Sequence, residues 1–383
     1  MSTRIFLLTL TLANLLAGTL RANNIQISNT TVTGNTGSAV QVQFDLSWEN
    51  SWRGGGVTNW DAAWVFIKYR ASATGPWAHV NINNTGNVAP AGSQIDLGLQ
   101  SPGQSYHASN NPALGVFIYR NAAGTGPLTL SAIQLKWDYS YLAIGFNNIY
   151  QIEVFAMEMV YVPPGEFAAG SGGTEPSAFT LTTINTTFAG TAPSGTGSLG
   201  GQAGGYPTGQ IAPTAFNWPN GVAAYYSMKY ELSQQQYVDF LNTLTYTQQV
   251  TRTATAPNSA AGTGTLSSTN FNRNGIDIQT PGVASSTPAI YACNLNGNAQ
   301  YGEVTDGTDI ACNFLSWGDL TAYLDWSGLR PMTELEFEKA CRGPVLPVAN
   351  EYPWGTTDLA ASPYGLANVG APNEGISTNY STT

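Results

Sequence analysis

Few side chains in this sequence are equipped for chemistry, and their types exclude most reactions. The chain has two histidines, His79 and His107, both in its first third. Neither a Ser-His-Asp triad nor a histidine-built zinc site has the material it needs. Three cysteines remain, Cys293, Cys312 and Cys341. Cys293 and Cys312 bracket the polar loop CNLNGNAQYGEVTDGTDIAC, and closing a loop of that length removes roughly 3 kcal/mol of unfolded-state entropy. They are read as a disulfide pair, with Cys341 as a small buried hydrophobe on a helix. The same loop gathers Asp306 and Asp309 with Asn294, Asn296 and Asn298. Oxygen-rich loops of this kind hold calcium, but the spacing is not that of an EF-hand, and such loops are more often simply polar. No glycine run has the strand-to-helix setting of a phosphate or dinucleotide site.

Charge narrows the partners. The 383 residues include 23 acids and 13 bases, for a net charge of −10, and no run of Lys or Arg collects anywhere. The footprint of a nucleic-acid-binding protein is therefore missing. Residues 1–22 carry one early base, Arg4, then an apolar run from Ile5 to Leu16 and small residues up to Ala22. That layout reads as a secretory signal, because the apolar run falls short of the ~20 residues a membrane span requires. The expected location is secreted, periplasmic or cell-surface, with no transmembrane segment after signal removal.

The elements that must position any site fall into two halves. Residues 23–156 alternate in period two through AVQVQFDLSW, AAWVFIKYR, LGVFIYR, LTLSAIQLKWDY and IYQIEVFAM, which predicts an antiparallel β-sandwich. Trp48, Trp52, Trp60 and Trp64 suit its core, or alternatively a carbohydrate-stacking face. Residues 157–383 open with MVYVPPGEFAAGSG, and three helices then announce themselves by their caps: Ser233 with Gln236, Ser316 with Asp319, and Thr333 with Glu336. The third, TELEFEKACRG, concentrates charge in a chain of which only 9% is charged. Its acids, Glu334 and Glu336, lie in the first turn and its bases, Lys339 and Arg342, in the last. Both sets suit the helix dipole, and Gly343 suits its end. The strand FAMEMVYVP is expected to run straight from one half into the other, and Thr251 to Ala289 reads as a surface excursion with little core.

Four blocks now resemble a known family. MVYVPPGEF, YYSMKYELSQQQYVDFLN, CNFLSWGDLTAYLDWSGLRPMTELEFEKACRG and EYPWG stand in the order that the formylglycine-generating enzyme (sulfatase-modifying factor) superfamily gives its opening strand and turn, its helices and its Tyr-Pro-Trp-Gly turn. Trp317, Arg330, Thr333, Glu336, Arg342, Gly343, Pro353, Trp354 and Gly355 carry the resemblance. It implies an α+β domain of C-type lectin-like fold, and the β-sandwich looks like the one that precedes this domain in secreted bacterial members. In catalytic relatives a cysteine pair that binds copper follows well downstream of the Tyr-Pro-Trp-Gly turn. No cysteine of this chain occupies that region, so copper is expected only from a further segment, and the domain is read as incomplete at its C-terminal end. The family's structural calcium, by resemblance, would be met here by the Asn368 side chain and the Val369 carbonyl.

The sequence thus predicts a secreted ligand- or surface-binding protein without catalytic residues of its own, its ligand a protein or a carbohydrate. A fragment of an oxidase or maturation enzyme is the alternative, and a structural or adhesive surface protein is the third reading.

Overall fold

The computed structural model describes residues 24–55, 59–97, 113–140, 142, 149, 151–174, 179, 181–186, 219–268, 271–352, 356–357, 363–369 and 374–378. The expected signal segment, His107 and the Pro353, Trp354 and Gly355 turn lie outside them.

Three layers are stacked. The first is an antiparallel sheet of β1 (Gln26–Thr33), β2 (Ala39–Arg53) and β7 (Gly124–Asp138), in the order β1-β2-β7. In β2 the alternate residues Val40, Val42, Phe44, Leu46 and Trp48 are buried, as period two requires when one face is covered. On β7 the apolar phase slips between Leu130 and Ile133. The register shifts at the same place, opposite Asp45, with Ala132 at φ 58° and its N–H donating to Asp45 Oδ1 at 2.8 Å. This is a β-bulge, in which one extra residue restores the inward face beyond it.

The second layer contains β3 (Asp61–Arg70), β4 (Ala78–His79), β5 (Ser93–Leu97), β6 (Val116–Arg120), β8 (Gln151–Val162) and β11 (Tyr225–Met228). Its order is β11-β8-β3-β6-β5, with β4 beside β3. Strand β3 is buried on both faces. Ala63, Val65, Ile67 and Tyr69 join the sandwich core, while Ala62, Trp64 and Phe66 face the opposite way into a second core. A strand covered on both sides reads as a continuous apolar run rather than a clean alternation.

The third layer supplies that cover. It comprises α1 (Gln234–Asn242), α3 (Trp317–Ser327) and the hairpin β12 (Ile276–Thr280) with β13 (Ile290–Cys293). Tyr237, Phe240 and Leu241 of α1 and Tyr323 and Leu324 of α3 pack on the middle sheet, and Trp64 Nε1 donates to the Ser327 carbonyl at 2.8 Å. Strand β8 pairs with β3 from Gln151 to Val160 and with β11 from Met159 to Val162. The two halves therefore share one sheet. Lys229, just past β11, lies 3.5 Å from the buried Asp61 of β3 and 3.4 Å from Glu158 of β8. The fold is α+β with antiparallel sheets.

Four helices are present among the described residues, one more than expected. The additional one, α2 (Tyr246–Val250), is announced by Thr245 with Gln248, another reciprocal cap. The supposed surface excursion also has a core: Leu266, Ile276, Ile278 and Ala289 are buried. The fully buried Gln249 side chain donates to the Leu241 and Ala289 carbonyls and accepts from the Ala289 N–H. A polar composition concealed this, because amide side chains do the work of anchoring a loop that apolar ones do elsewhere.

Candidate ligand-binding cleft

Helix α4 (Glu334–Arg342) begins at Thr333, whose hydroxyl accepts from the Glu336 N–H while Glu336 accepts from the Thr333 N–H. The charge density of this segment has a second use beyond the dipole. Glu336, 2% exposed, receives both guanidinium nitrogens of Arg330, at 2.8 and 2.6 Å. Lys339, 5% exposed, donates to the carbonyls of Pro163 and Gly221, and Arg342 pairs with Glu351. Lys339 thus ties the helix to the strand-turn opening, and Leu335 packs it on the hairpin of β9 (Phe167–Ala169) and β10 (Thr182–Ile184). Gly343 ends it at φ 65°, ψ −147°, a conformation essentially restricted to glycine.

The bidentate pair fixes the segment Leu329–Met332, and that segment forms one wall of an open cleft of about 1910 Å³. The facing wall comes from β5, β6, β8 and β11 of the middle sheet. Its floor is aromatic. Trp60 stacks on Tyr161 at 4.0 Å between centroids and 6° between planes, and Phe117 stacks on Tyr226 at 3.6 Å. Trp60 Nε1 donates to Tyr226 Oη at 3.2 Å, and the Arg53 guanidinium lies 4.7 Å from the Trp60 centroid. Tyr119 donates its hydroxyl to Asp96, and burial with that bond pushes the phenol pKa up. Around the floor run Asn84, Asn87, Gln94 and Asn121. Trp317, at the first turn of α3, stands at the cleft with 67% of its surface exposed.

Of the tryptophans weighed for ligand binding, the structure divides the set. Trp48 and Trp64 are buried in the two cores, Trp52 is half-buried on β2, and Trp60 lines the cleft together with an edge of Trp64. Trp317, expected to be structural, instead presents its ring to the opening. The cleft residues Tyr119, Asp96 and Tyr226 gave no sequence signal, since they meet only through strand pairing and the crossing of α3.

The expected Cys293–Cys312 bridge is not formed in the structure, where all three cysteines are free. Cys293 is buried in the third-layer core and Cys312 packs against the same cluster. Burial pushes both thiols up, Cys312 to about 12. The loop between them is closed by hydrogen bonds instead: Leu295 N–H to the Asp306 carbonyl, and the Asn296 amide to Glu303, Thr305 and Asp306. Asp306 is fully buried and also accepts from the Glu303 N–H. Cys341, expected to be buried, is exposed, and its thiol is also pushed up, by desolvation and by Glu338 and Glu334.

Asn368, at φ 55°, and the half-exposed Val369 follow the short strand β14 (Gly365–Ala367), which pairs with β15 (Gly375–Thr378). These two residues offer two oxygens, against the six to eight that calcium takes. Among the described residues no group of three or more His, Cys, Asp or Glu is placed to hold a metal ion.

Residues 148–381 match the family described as the sulfatase-modifying factor enzyme 1-like domain. The match covers more than half of the chain. This protein belongs to the sulfatase-modifying factor enzyme family. No curated protein and no solved structure gave a match. The family match begins just before β8, so the strand shared by both halves lies inside it. The helix α3, the Arg330–Glu336 pair and helix α4 all belong to the family domain, and the cleft's other wall joins β5 and β6, which precede it, to β8 and β11, which lie inside it. Among the described residues no helix is long and apolar enough to cross a membrane.

Proposed function

We propose that this family member is a secreted recognition protein, in which the sulfatase-modifying-factor-like domain and the β-sandwich together form a binding cleft, and that its ligand is a carbohydrate. The observation that supports this most is the cleft itself, walled by both halves and floored by aromatic rings. At about 1910 Å³ it exceeds the ~300 to 1,000 Å³ of pockets that engulf a small molecule, which suits an extended chain of sugars laid along it. Aromatic faces with amide and carboxylate side chains around them are what a sugar requires, since its two faces are apolar and its edge is a ring of hydroxyls.

The cysteines favour binding over thiol oxidation. Thiolate, not thiol, is the nucleophile and the soft metal ligand, and all three thiols have pKa values above their ordinary value. Copper chemistry would need a cysteine pair that these residues do not provide. Calcium at Asn368 and Val369 is proposed only as part of a site completed by other oxygens.

The test is a glycan array followed by calorimetric titration of the best oligosaccharide, each run in calcium and in chelator. Trp317→Ala is expected to weaken binding about tenfold or more without lowering the melting temperature, as loss of one stacking ring of ~1 to 2 kcal/mol would. Absence of any saturable glycan, or binding indifferent to Trp317, would remove the carbohydrate reading. A melting temperature equal in calcium and chelator would remove the calcium proposal.

A further inference from the structure

A second and smaller cavity, of about 190 Å³, lies between α1, α3, the start of β1 and the middle sheet, and shares no lining residue with the large cleft. Its walls include three rings in mutual contact. Phe66 meets Phe155 at 5.3 Å and Trp326 at 5.0 Å, and Phe155 meets Trp326 at 4.9 Å. Two carboxylates also line it, Glu153 of β8 and Asp239 of α1. The other polar walls are Gln236 of α1 and Tyr323 of α3, 1% exposed, whose hydroxyl has no hydrogen-bond partner; Trp326 Nε1 is likewise buried and unpartnered. Buried polar atoms are nearly always satisfied, so two such orphans lining one cavity call for an occupant.

We propose that this cavity binds a small organic ammonium ion that also carries a hydroxyl. Each requirement comes from a different wall. The positive charge is set by the two acids and by the Phe155 ring, since a cation is attracted to an aromatic face and no basic side chain lines the cavity. The hydroxyl is set by Trp326 Nε1, a donor that needs an acceptor, with Tyr323 able to complete the bond as donor or acceptor. A carboxylate in that position would be repelled by Glu153 and Asp239. The size is set by volume, since about 190 Å³ equals roughly six waters at ~30 Å³ each, which accommodates a compact amino alcohol and no oligosaccharide.

The surroundings agree. Asp239 accepts one bond, from Gln235 Nε2 at 2.7 Å, and burial pushes its carboxyl up to about 6, with Glu153 adding to the rise. Glu153 is pushed up by burial as well, against the pull of Arg70 on β3. Lys68, the cross-strand partner of Glu153 on β3, does not line the cavity, but its ammonium lies 5.8 and 5.6 Å from the Phe66 and Trp326 ring centroids and is engaged by His79 Nδ1 at 2.9 Å. Cys293 of β13 and Tyr323 of α3 both feel Asp239 as a negative neighbour.

The probe is 3-amino-1-propanol, compared with 1-butanol, which replaces its ammonium by a methyl group. Titration near pH 7.5, followed by calorimetry and by the Trp326 indole proton in NMR, is expected to show saturable binding with a preference for the ammonium of about tenfold or more. Asp239→Asn is expected to abolish that preference, and Tyr323→Phe to weaken binding several-fold while keeping the preference. Lowering the pH below about 6 is expected to weaken binding as Asp239 takes up a proton. A melting temperature for Asp239→Asn at or above wild type shows that the fold survives. Equal affinity for 1-butanol, indifference to Asp239→Asn, or no saturation at about 50 mM overturns the proposal and leaves the cavity to water. Each of these outcomes is independent of Trp317 and the large cleft, so the two readings fail separately.

Discussion

Asp239 illustrates what one residue costs and what it is for. Its carboxyl is held up to about 6 by burial, so between about pH 4 and pH 6 the folded chain keeps a proton that the unfolded chain has released. Stability contributed by that proton is present at low pH and is lost as pH rises through this window. Asp239→Asn should therefore raise the melting temperature near pH 7 and flatten its dependence on pH between about 4 and 6, as scanning calorimetry across that range would show. A variant that melts lower at neutral pH would mean that the charge is already compensated. Nothing in the local sequence QQQYVDFLN marks this aspartate. A helix with apolar residues at Tyr237, Phe240 and Leu241 places position 239 by arithmetic near the edge of its apolar face, and only the approach of β8 and α3 leaves that edge half-buried.

At the scale of elements, much was legible because caps are local. Ser233, Ser316 and Thr333 each start a helix with both bonds of the reciprocal cap. The short Asp319 closes its cap as fully as the longer side chains do, with its carboxylate accepting from the Ser316 N–H at 2.9 Å. Gly328, at φ 74°, ends α3 with the Leu329 N–H bonded back to the Leu324 carbonyl, the left-handed stop that glycine makes cheaply. Thr333 has a further bond, donating to the Pro219 carbonyl at 2.7 Å. Thr333→Ala should therefore destabilise by about 1 to 2 kcal/mol, measured by urea unfolding. Thr333→Ser should recover most of that, and a Ser variant no better than Ala would locate the loss in methyl packing instead. The bulge on β7 was also written locally, as the slip from Leu128 and Leu130 to Ile133, Leu135 and Trp137.

For the whole molecule, the shared middle sheet decides behaviour. Trp64 is 3% exposed, rests against Phe117 at 4.7 Å and bonds to the Ser327 carbonyl from the far side of the layer boundary. Gly115 lies directly against its ring, where an added Cβ would come within 2.4 Å. Trp64→Ala should cost about 3 to 5 kcal/mol, and unfolding should remain one transition followed equally by probes in the sandwich and in the helical layer, because both cores use β3 and β8. Two resolved calorimetric transitions in the wild-type protein would contradict this coupling. The division of the sequence into halves near residue 156 has no counterpart as a break in the backbone, since β8 runs through it from Gln151 to Val162.

What the sequence determined by itself is what short-range physics controls: strands by their alternation, helices by their caps, and family membership by the order of four blocks rich in Trp, Pro and Gly. Tertiary structure alone decided which tryptophans face the cleft and which the core, whether Cys293 meets Cys312 in a bond, and which polar atoms are left orphaned around Asp239. Exposure, pairing and desolvation depend on residues far apart in the chain, brought together by a sheet packed on both faces. Local pattern carries no record of which distant surface will cover a given side chain.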